Sequence, residues 1–180
     1  HVERSVTPVR DIEIIDTELC LADIDTISNR MKKVEKLLKA HDKKAAAEQA
    51  LLERVAKGLE DIVPARRMEF TEEEEAALYD LHLLTRKPII YVCNVAEEEA
   101  ADASGNPHVK AVQEFAAQEH AEVVVISAKV EAEIAELPEE EAKEYLEMEG
   151  LTEAGLNRLI KAGFKLLGLQ TYMTAGEIES

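Results

Sequence analysis

Two polar segments of this sequence carry residue types that could bind a nucleotide base. Asn94-Val-Ala-Glu97 follows the apolar run Ile89–Cys93, and Ser127-Ala-Lys129 follows the apolar run Val123–Ile126. A carboxylate at the fourth position of the first segment could accept hydrogen bonds from two neighbouring base donors. The asparagine could tie the two loops together, and the Ser-Ala-Lys backbone could contact a base oxygen. These segments are therefore the candidate base-binding residues.

Glu97 stands where the guanine-binding pattern of many G domains, Asn-x-x-Asp followed by Ser-Ala-Lys, has an aspartate. Glutamate is one methylene longer, so its carboxylate would be misplaced for guanine's ring N–H and exocyclic amine. Adenine lacks both donors, and backbone groups near Val95 could instead read its amine. Asn-x-x-Glu alone also fits an ordinary turn after a strand. Its place at a strand end, with Ser-Ala-Lys after the next strand, favours a base site.

Both apolar runs are typical of short, buried, parallel strands, which predicts an α/β fold. Between them, Asn106-Pro107 opens a helix whose inner stripe contains Val109 and Val112. A strand–helix–strand unit has a right-handed crossover and parallel strands. Both polar loops should then emerge at the same edge of the sheet, where ligands bind in open α/β folds.

A long helical pattern begins at Asp11, and a second ends at Pro64, with a polar tip at 41–44. The two patterns predict an αα-hairpin close to an antiparallel coiled coil. Spacings of three and four predict the buried stripe of the first helix. That stripe comprises Ile12, Ile15, Leu19, Ala22, Ile27, Met31, Val34 and Leu38.

The hairpin tip has a charge opposite to that of the whole chain. The chain has 38 acidic and 21 basic residues and a net charge of −17, which repels nucleic acid at long range. Residues 30–44 carry +5 and the remainder −22. The tip suits either a solvated helix face or a surface that contacts RNA phosphates through point charges. Its candidate phosphate contacts are Lys32, Lys33, Lys36, Lys39, Lys43 and Lys44.

Local signals mark the remaining helices. Thr71 and Glu74 form a capping box, and the helix they open should carry Leu84 inward and end before Pro88. Thr152 should cap the last helix. That helix has a regular apolar stripe at Leu156, Leu159, Ile160, Gly163, Phe164 and Leu167.

Several kinds of site are missing from the sequence. It has no GxxxxGK[ST] segment, its seven glycines are scattered, and its five histidines have no metal-ligand spacing. Cys20 and Cys93 have no CxxC partner, which fits a reduced, cytoplasmic protein. The longest apolar runs are too short to span a membrane. We therefore expect no catalytic residue, no metal ligand and no membrane partner.

Four segments closely resemble the YchF-type, Obg-like ATPases, a family in the translation-factor class of P-loop NTPases. They are residues 10–19, 87–97, 156–163 and 169–176, the last reading Leu-Gln-Thr-Tyr-Met-Thr-Ala-Gly. The resemblance implies a G-domain parallel sheet, an inserted helical hairpin and a C-terminal TGS domain. It also implies hydrolysis of ATP in preference to GTP, with Mg²⁺, and association with the ribosome and its RNA.

The resemblance implies four regions: a G-domain lead-in at 1–10, the hairpin at 11–85, the later G domain at 86–168 and the start of the TGS domain at 169–180. The family's P-loop, switch segments and metal ligands would lie upstream of the chain. We therefore expect a partial P-loop NTPase fold that is inactive alone, and a missing N-terminal fragment or an oligomer that completes it. Base recognition would involve Asn94, Val95, Glu97, Ser127, Ala128 and Lys129. The alternative is a non-enzymatic coiled-coil module that binds RNA or protein.

Overall fold

The structure, a computed structural model, describes residues 7–39 and 43–169 and has the α/β composition predicted, with a small parallel sheet and mostly helical content. The chain divides into two compact units, residues 1–88 and 89–180. The helices are α1 Pro8–Leu38, α2 Lys43–Glu60, α3 Glu72–Tyr79, α4 Pro107–Gln118, α5 Ala128–Glu136, α6 Glu139–Met148 and α7 Gly155–Leu166. The strands are β1 Ile90–Asn94 and β2 Glu122–Ile126, and short 3-10 helices lie at Ala65–Arg67, Leu84–Arg86 and Glu97–Glu99.

Some predictions fall outside the described residues. These are the strand start at 170–176, nearly all of the TGS entry at 169–180, most of the lead-in at 1–10, and the side chain of Lys43. Within the described residues, none of the helices has both the length and the apolar character that a membrane span requires.

The first unit contains the predicted helical hairpin. Helix α1 begins at Pro8, three residues before the predicted start, because proline suits the first helical position. Helices α1 and α2 pack against each other, and Arg30 Nε donates to Glu48 Oε1 at 2.5 Å between them. The coiled-coil geometry of the pair stays a prediction. Their shared core includes Cys20, Ile27, Val34, Leu51, Leu52, Val55 and Leu59.

The buried face of α1 differs from the predicted stripe in its first half. Ile15 is 59% exposed, whereas Asp16, Cys20 and Asp23 are buried. Asp16 accepts two hydrogen bonds from Arg66 Nη2, at 2.7 and 2.9 Å, and Asp23 accepts from backbone N–H groups. Polar groups can be buried when such bonds replace water, so the apolar pattern misplaced this face.

Helix α3 is shorter than predicted. The capping box is present as expected, with Thr71 Oγ1 accepting from the Glu74 N–H and the Glu74 carboxylate accepting from the Thr71 N–H. The helix ends at Tyr79, and His82 adopts a left-handed conformation with φ of 49°. Leu84 consequently lies in a separate 3-10 helix and is exposed rather than directed inward.

The second unit contains the predicted strand–helix–strand arrangement. Strands β1 and β2 are parallel, with Asn94 opposite Ile126 at their carboxyl ends. Helix α4 connects them, and the Asn106 side chain caps it by accepting from the N–H groups of His108 and Val109. The carboxyl ends of both strands therefore meet at one edge.

Two features of the second unit depart from the sequence prediction. Helix α5 begins directly after Ser127, where the sequence suggested only a loop. Helix α7 begins at Gly155, and Thr152 does not cap it. Its first N–H groups, of Gly155 and Leu156, donate instead to the carboxylate of Glu131 at 2.6 and 3.1 Å. A carboxylate on another helix has taken the role expected of a local hydroxyl.

The apolar stripe of α7 is not buried as a whole. Leu156, Ile160, Phe164 and Leu167 are exposed, whereas Gly155 and Ala162 are buried. The small side chains allow α7 to pack closely on β2. The larger apolar side chains are left exposed within the described part of the chain.

Candidate functional site

The side chain of Asn94 joins the two loops at the carboxyl edge of the sheet. Asn94 is the last residue of β1, and its Oδ1 accepts a hydrogen bond of 2.9 Å from the N–H of Ala128. Ala128 is the first residue of α5, directly after the β2 loop. The structure thus brings the first residue of the Asn-x-x-Glu segment against the Ser-Ala-Lys segment.

The backbone of Val95 continues the sheet by one residue. Its N–H donates to the carbonyl of Ile126 at 2.9 Å, on the neighbouring strand. The N–H is therefore occupied, and the other backbone polar group of Val95 is a carbonyl, which can only accept. A base meeting this backbone must present a donor.

The Ser-Ala-Lys segment forms the N-cap and first turn of α5. Ser127 is the N-cap residue and is 3% exposed, and its hydroxyl has no hydrogen-bond partner among the described residues. Ala128 and Lys129 follow in the first helical turn, and both are exposed. A buried hydroxyl without a partner beside the strand ends indicates capacity for a ligand or a water molecule.

Glu97 lies at the start of a 3-10 helix and belongs to a group of four polar side chains. We call this group the Glu97 cluster; its members are Glu97, Lys129, Glu133 and Tyr145. Lys129 Nζ hydrogen-bonds to Glu97 Oε2, and Tyr145 OH lies 3.0 Å from Glu97 Oε1. Tyr145 OH also hydrogen-bonds to Glu133 Oε2, and Lys129 Nζ lies 4.0 Å from Glu133 Oε1.

These contacts shift the protonation equilibria of the cluster. The hydrogen bond from Lys129, assisted by Tyr145, lowers the pKa of Glu97 below its ordinary value. The same bond to Glu97 raises the pKa of Lys129. The hydrogen bond to Glu133, with burial and the bond to Glu97, raises the pKa of Tyr145. At neutral pH, Glu97 is therefore a carboxylate, Lys129 an ammonium and Tyr145 a phenol.

Sequence reasoning missed Tyr145 and Glu133. They lie on α6 and α5, outside both polar segments, in a region rich in glutamate. No residue spacing distinguishes them from a solvated helix face. Among the described residues, no group of three or more His, Cys, Asp or Glu side chains is arranged to hold a metal ion.

The candidate RNA contacts lie at the far end of the hairpin. Lys32, Lys33 and Lys36 are exposed on the last turns of α1, and Lys39 is exposed at its C-cap. Lys44 is exposed at the start of α2. Lys39 Nζ lies 3.5 Å from Oε1 of Glu35, which is one helical turn earlier. The structure therefore gathers five of the six predicted lysines near one end of the helix pair.

Comparison with known proteins identifies relatives that match almost the whole chain. The Bacillus subtilis ribosome-binding ATPase YchF is 51% identical over 179 residues, which are 99% of this chain and 49% of the relative. The Escherichia coli O157:H7 protein of the same name is 47% identical over 176 residues, covering 98% and 48%. Obg-like ATPase 1 of Caenorhabditis elegans is 37% identical over 183 residues, covering 99% and 46%.

The fold comparison agrees with the sequence comparison. The solved structure of the Schizosaccharomyces pombe YchF GTPase superposes with a TM-score of 0.84 at 27% identity, covering 98% of this chain and 48% of that chain. No protein-family model matches the sequence. The chain spans about half the length of the curated relatives it matches.

Proposed function

Because this chain is homologous to the YchF-type, Obg-like ATPases over nearly all of its length, we propose that it supplies base recognition in an ATP-binding protein that associates with the ribosome. The later G domain, residues 86–168, carries the base site of a partial P-loop NTPase fold. Residues 11–85 are the helical hairpin, residues 1–10 lead into the G domain, and residues 169–180 open a TGS domain. The protein acts in the cytoplasm, where ribosomes are found.

The hydrogen bond from Ala128 to Asn94 carries this proposal. It holds the β1 loop and the N-terminus of α5 together at the strand ends, where open α/β sheets bind ligands. The carbonyl of Val95 lies in this edge, because its own N–H is bonded to Ile126. Adenine offers an amine at the position where guanine offers an oxygen. A backbone carbonyl therefore attracts adenine and repels guanine, so GTP binds more weakly than ATP.

Hydrolysis of ATP belongs to the whole protein in this proposal. The sequence has no P-loop pattern, and the described residues offer no cluster of metal ligands. No residue of this chain is therefore assigned to Mg²⁺ or to the phosphates. This chain orients the base, and orientation is a real contribution to phosphoryl transfer, which depends on positioning.

Nucleosides test base recognition without requiring a phosphate cradle. The ¹⁵N-labelled chain is titrated with adenosine and with guanosine, and amide shifts are followed by NMR. We expect adenosine to shift the amides of Val95, Ala128 and Lys129 at lower concentration than guanosine. Asn94→Ala should abolish the response, whereas Asn157→Ala, on the exposed surface of α7, should retain it. Equal responses to both nucleosides, or shifts confined to other residues, would contradict the proposal.

The exposed lysines of the hairpin favour a second candidate function, in which the hairpin is a non-enzymatic module that binds RNA. Reversing the charges of Lys36, Lys39, Lys43 and Lys44 should weaken binding to ribosomal RNA. Each lost phosphate contact should also reduce the slope of log affinity against log salt by about 1. A matched variant reverses four exposed lysines elsewhere, Lys57, Lys87, Lys110 and Lys143. Equal losses in both variants would show that only net charge matters.

A further inference from the structure

Both carboxylate oxygens of Glu97 are already occupied within the chain. Oε2 accepts from the ammonium of Lys129, and Oε1 lies 3.0 Å from the hydroxyl of Tyr145. The side chain of Glu97 is 22% exposed, so solvent reaches it only in part. An additional donor would have to displace a partner or share an oxygen with it.

Guanine requires both oxygens of such a carboxylate. Its ring N–H and its exocyclic amine lie side by side and donate in parallel to two acceptors. A carboxylate that accepts such a pair of bonds forms a strong bidentate contact. Each oxygen has two lone pairs, so a donor already bound to it does not exclude guanine outright but competes with it for position and charge. Two such donors, one on each oxygen, weaken the bidentate contact most.

We propose that Lys129 and Tyr145 are specificity-determining residues of the base site, because they hold both oxygens of Glu97 and thereby deny guanine its bidentate acceptor. The inference rests on the proposed function and names residues that control its selectivity. Lys129 belongs to the Ser-Ala-Lys segment, whereas Tyr145 comes from α6. The Glu97 cluster thus connects the β1 loop, α5 and α6.

Glu133 keeps Tyr145 in place. The phenol has one proton, so it donates to Glu97 or to Glu133 at any moment and bridges the two carboxylates. The ammonium of Lys129 lies near both carboxylates and offsets their repulsion. The cluster has a net charge of −1, and removing Lys129 leaves two neighbouring carboxylates without a cation. An oxygen of Glu97 would then be free to accept a hydrogen bond from guanine.

The test compares the adenosine and guanosine affinities of a set of variants by the same NMR titration. Lys129→Met keeps an unbranched side chain one atom shorter and removes the charge, and Tyr145→Phe removes only the hydroxyl. Lys143→Met is the matched control, because Lys143 pairs with Glu139 on α6 and makes no contact with Glu97. We expect the Lys129→Met/Tyr145→Phe double variant to improve guanosine affinity relative to adenosine by about tenfold, as one restored charge-assisted bond would do.

A third substitution identifies the group responsible. Adding Glu97→Gln to the double variant should cancel the gain, because an amide NH2 group, which can only donate, replaces one acceptor oxygen and repels guanine's donors. An unchanged affinity ratio in the double variant, with adenosine still bound, would overturn the inference and leave the proposed function standing. Failure of the unmodified chain to bind either nucleoside would overturn the proposed function and the inference together.

A measurement without ligand tests the contacts themselves. Carboxyl ¹³C shifts of Glu97 are followed during an acid titration of the unmodified chain and of Lys129→Met. We expect Glu97 to titrate below the ordinary glutamate range in the unmodified chain and closer to it in the variant. Lys143→Met should leave the Glu97 titration unchanged. Identical titration curves for Glu97 in the unmodified chain and in Lys129→Met would overturn the inference, whatever the nucleosides do.

Discussion

Asp23 offers a direct test of how helix α1 is anchored to the 3-10 helix Leu84–Arg86 of the same unit. Its carboxylate, 2% exposed on α1, accepts hydrogen bonds of 2.8 Å from the N–H groups of both Leu84 and Thr85. These residues begin the 3-10 helix Leu84–Arg86, so the carboxylate caps that helix from a distant part of the sequence. The Thr85 hydroxyl in turn accepts from the N–H of Ala65 at 3.0 Å. Replacing Asp23 by alanine would remove the centre of this polar arrangement.

The size of the effect follows from the burial of the two N–H groups. A hydrogen bond to a charged group contributes about 1.5–3 kcal/mol, and a buried donor left without a partner costs a similar amount. Thr85 is fully buried, whereas Leu84 is exposed, so water can replace only the bond to Leu84. We therefore expect Asp23→Ala to destabilise the unit by about 3 kcal/mol. Asp23→Asn keeps one acceptor oxygen and should lose about half of that.

Hydrogen exchange of the buried α1 amides measures this loss, because it reports the unfolding of the hairpin unit separately from that of the rest of the chain. Asp25→Ala is the matched control, since Asp25 is exposed on the same helix. It has the same gain in helix propensity, about 0.5 kcal/mol, without the loss of buried bonds.

The reasoning would be refuted by exchange free energies that agree within about 0.5 kcal/mol between Asp23→Ala and Asp25→Ala. It would also be refuted if Asp23→Asn were as destabilising as Asp23→Ala, because the retained oxygen would then have no value. Either result would mean that the carboxylate bonds contribute little to the anchoring of α1.

Three further predictions concern the second unit. Gly155→Ala places a Cβ 2.8 Å from Cγ2 of Ile126 and should lower the free energy of unfolding by about 1–3 kcal/mol, measured by chemical denaturation. As the control, the Cβ of Gly163→Ala meets no atom within 4 Å and should raise the free energy of unfolding by up to about 1 kcal/mol. Glu97→Asp shortens the carboxylate away from its partners and toward guanine's donors, so the ratio of guanosine to adenosine affinity should rise; an unchanged ratio in titrations would refute this. Because the folded-state pKa of Glu97 is lowered, its bond to Lys129 stabilises the fold above the unfolded pKa of about 4.3 and is lost as the pH falls through the folded value. Lys129→Met should therefore flatten the acid end of the stability profile, which unfolding at stepped pH would reveal.

Features encoded by neighbouring residues could be predicted from the sequence. The capping box of Thr71 and Glu74 needs only four consecutive residues, and Asn106-Pro107 marks the start of α4 by the same kind of local signal. The parallel pairing of β1 and β2 follows from the helix between them. Parallel pairing also predicts that Asn94 and Ser127 lie at the same edge of the sheet. The hydrogen bond from the Ala128 N–H to Asn94 Oδ1 joins the two segments at that edge.

Features that depend on distant partners could not be predicted. Asp16 and Asp23 look like solvated residues of an amphipathic helix until Arg66 and the N–H groups beyond residue 83 are placed beside them. The start of α7 depends on Glu131, more than twenty residues earlier, and not on the nearby Thr152. Each of these bonds joins residues that are far apart in the chain, and no local sequence signal pairs them. Periodicity therefore indicates that a segment is an amphipathic helix, but it does not show which polar residues distant partners allow to be buried.

In the proposed base site, a guanine-type loop would favour adenine without a new residue that reads adenine. The Val95 N–H is bonded to Ile126, and the carboxylate of Glu97 is bonded to Lys129 and Tyr145. In the proposed site, the first bond leaves a carbonyl that suits the amine of adenine, and the other two occupy the acceptor oxygens that guanine needs. Selectivity then depends on which polar groups the fold has already satisfied, and not on the residue types alone. For this reason Tyr145, outside both polar segments, affects the base preference as directly as Glu97 does in the proposed site.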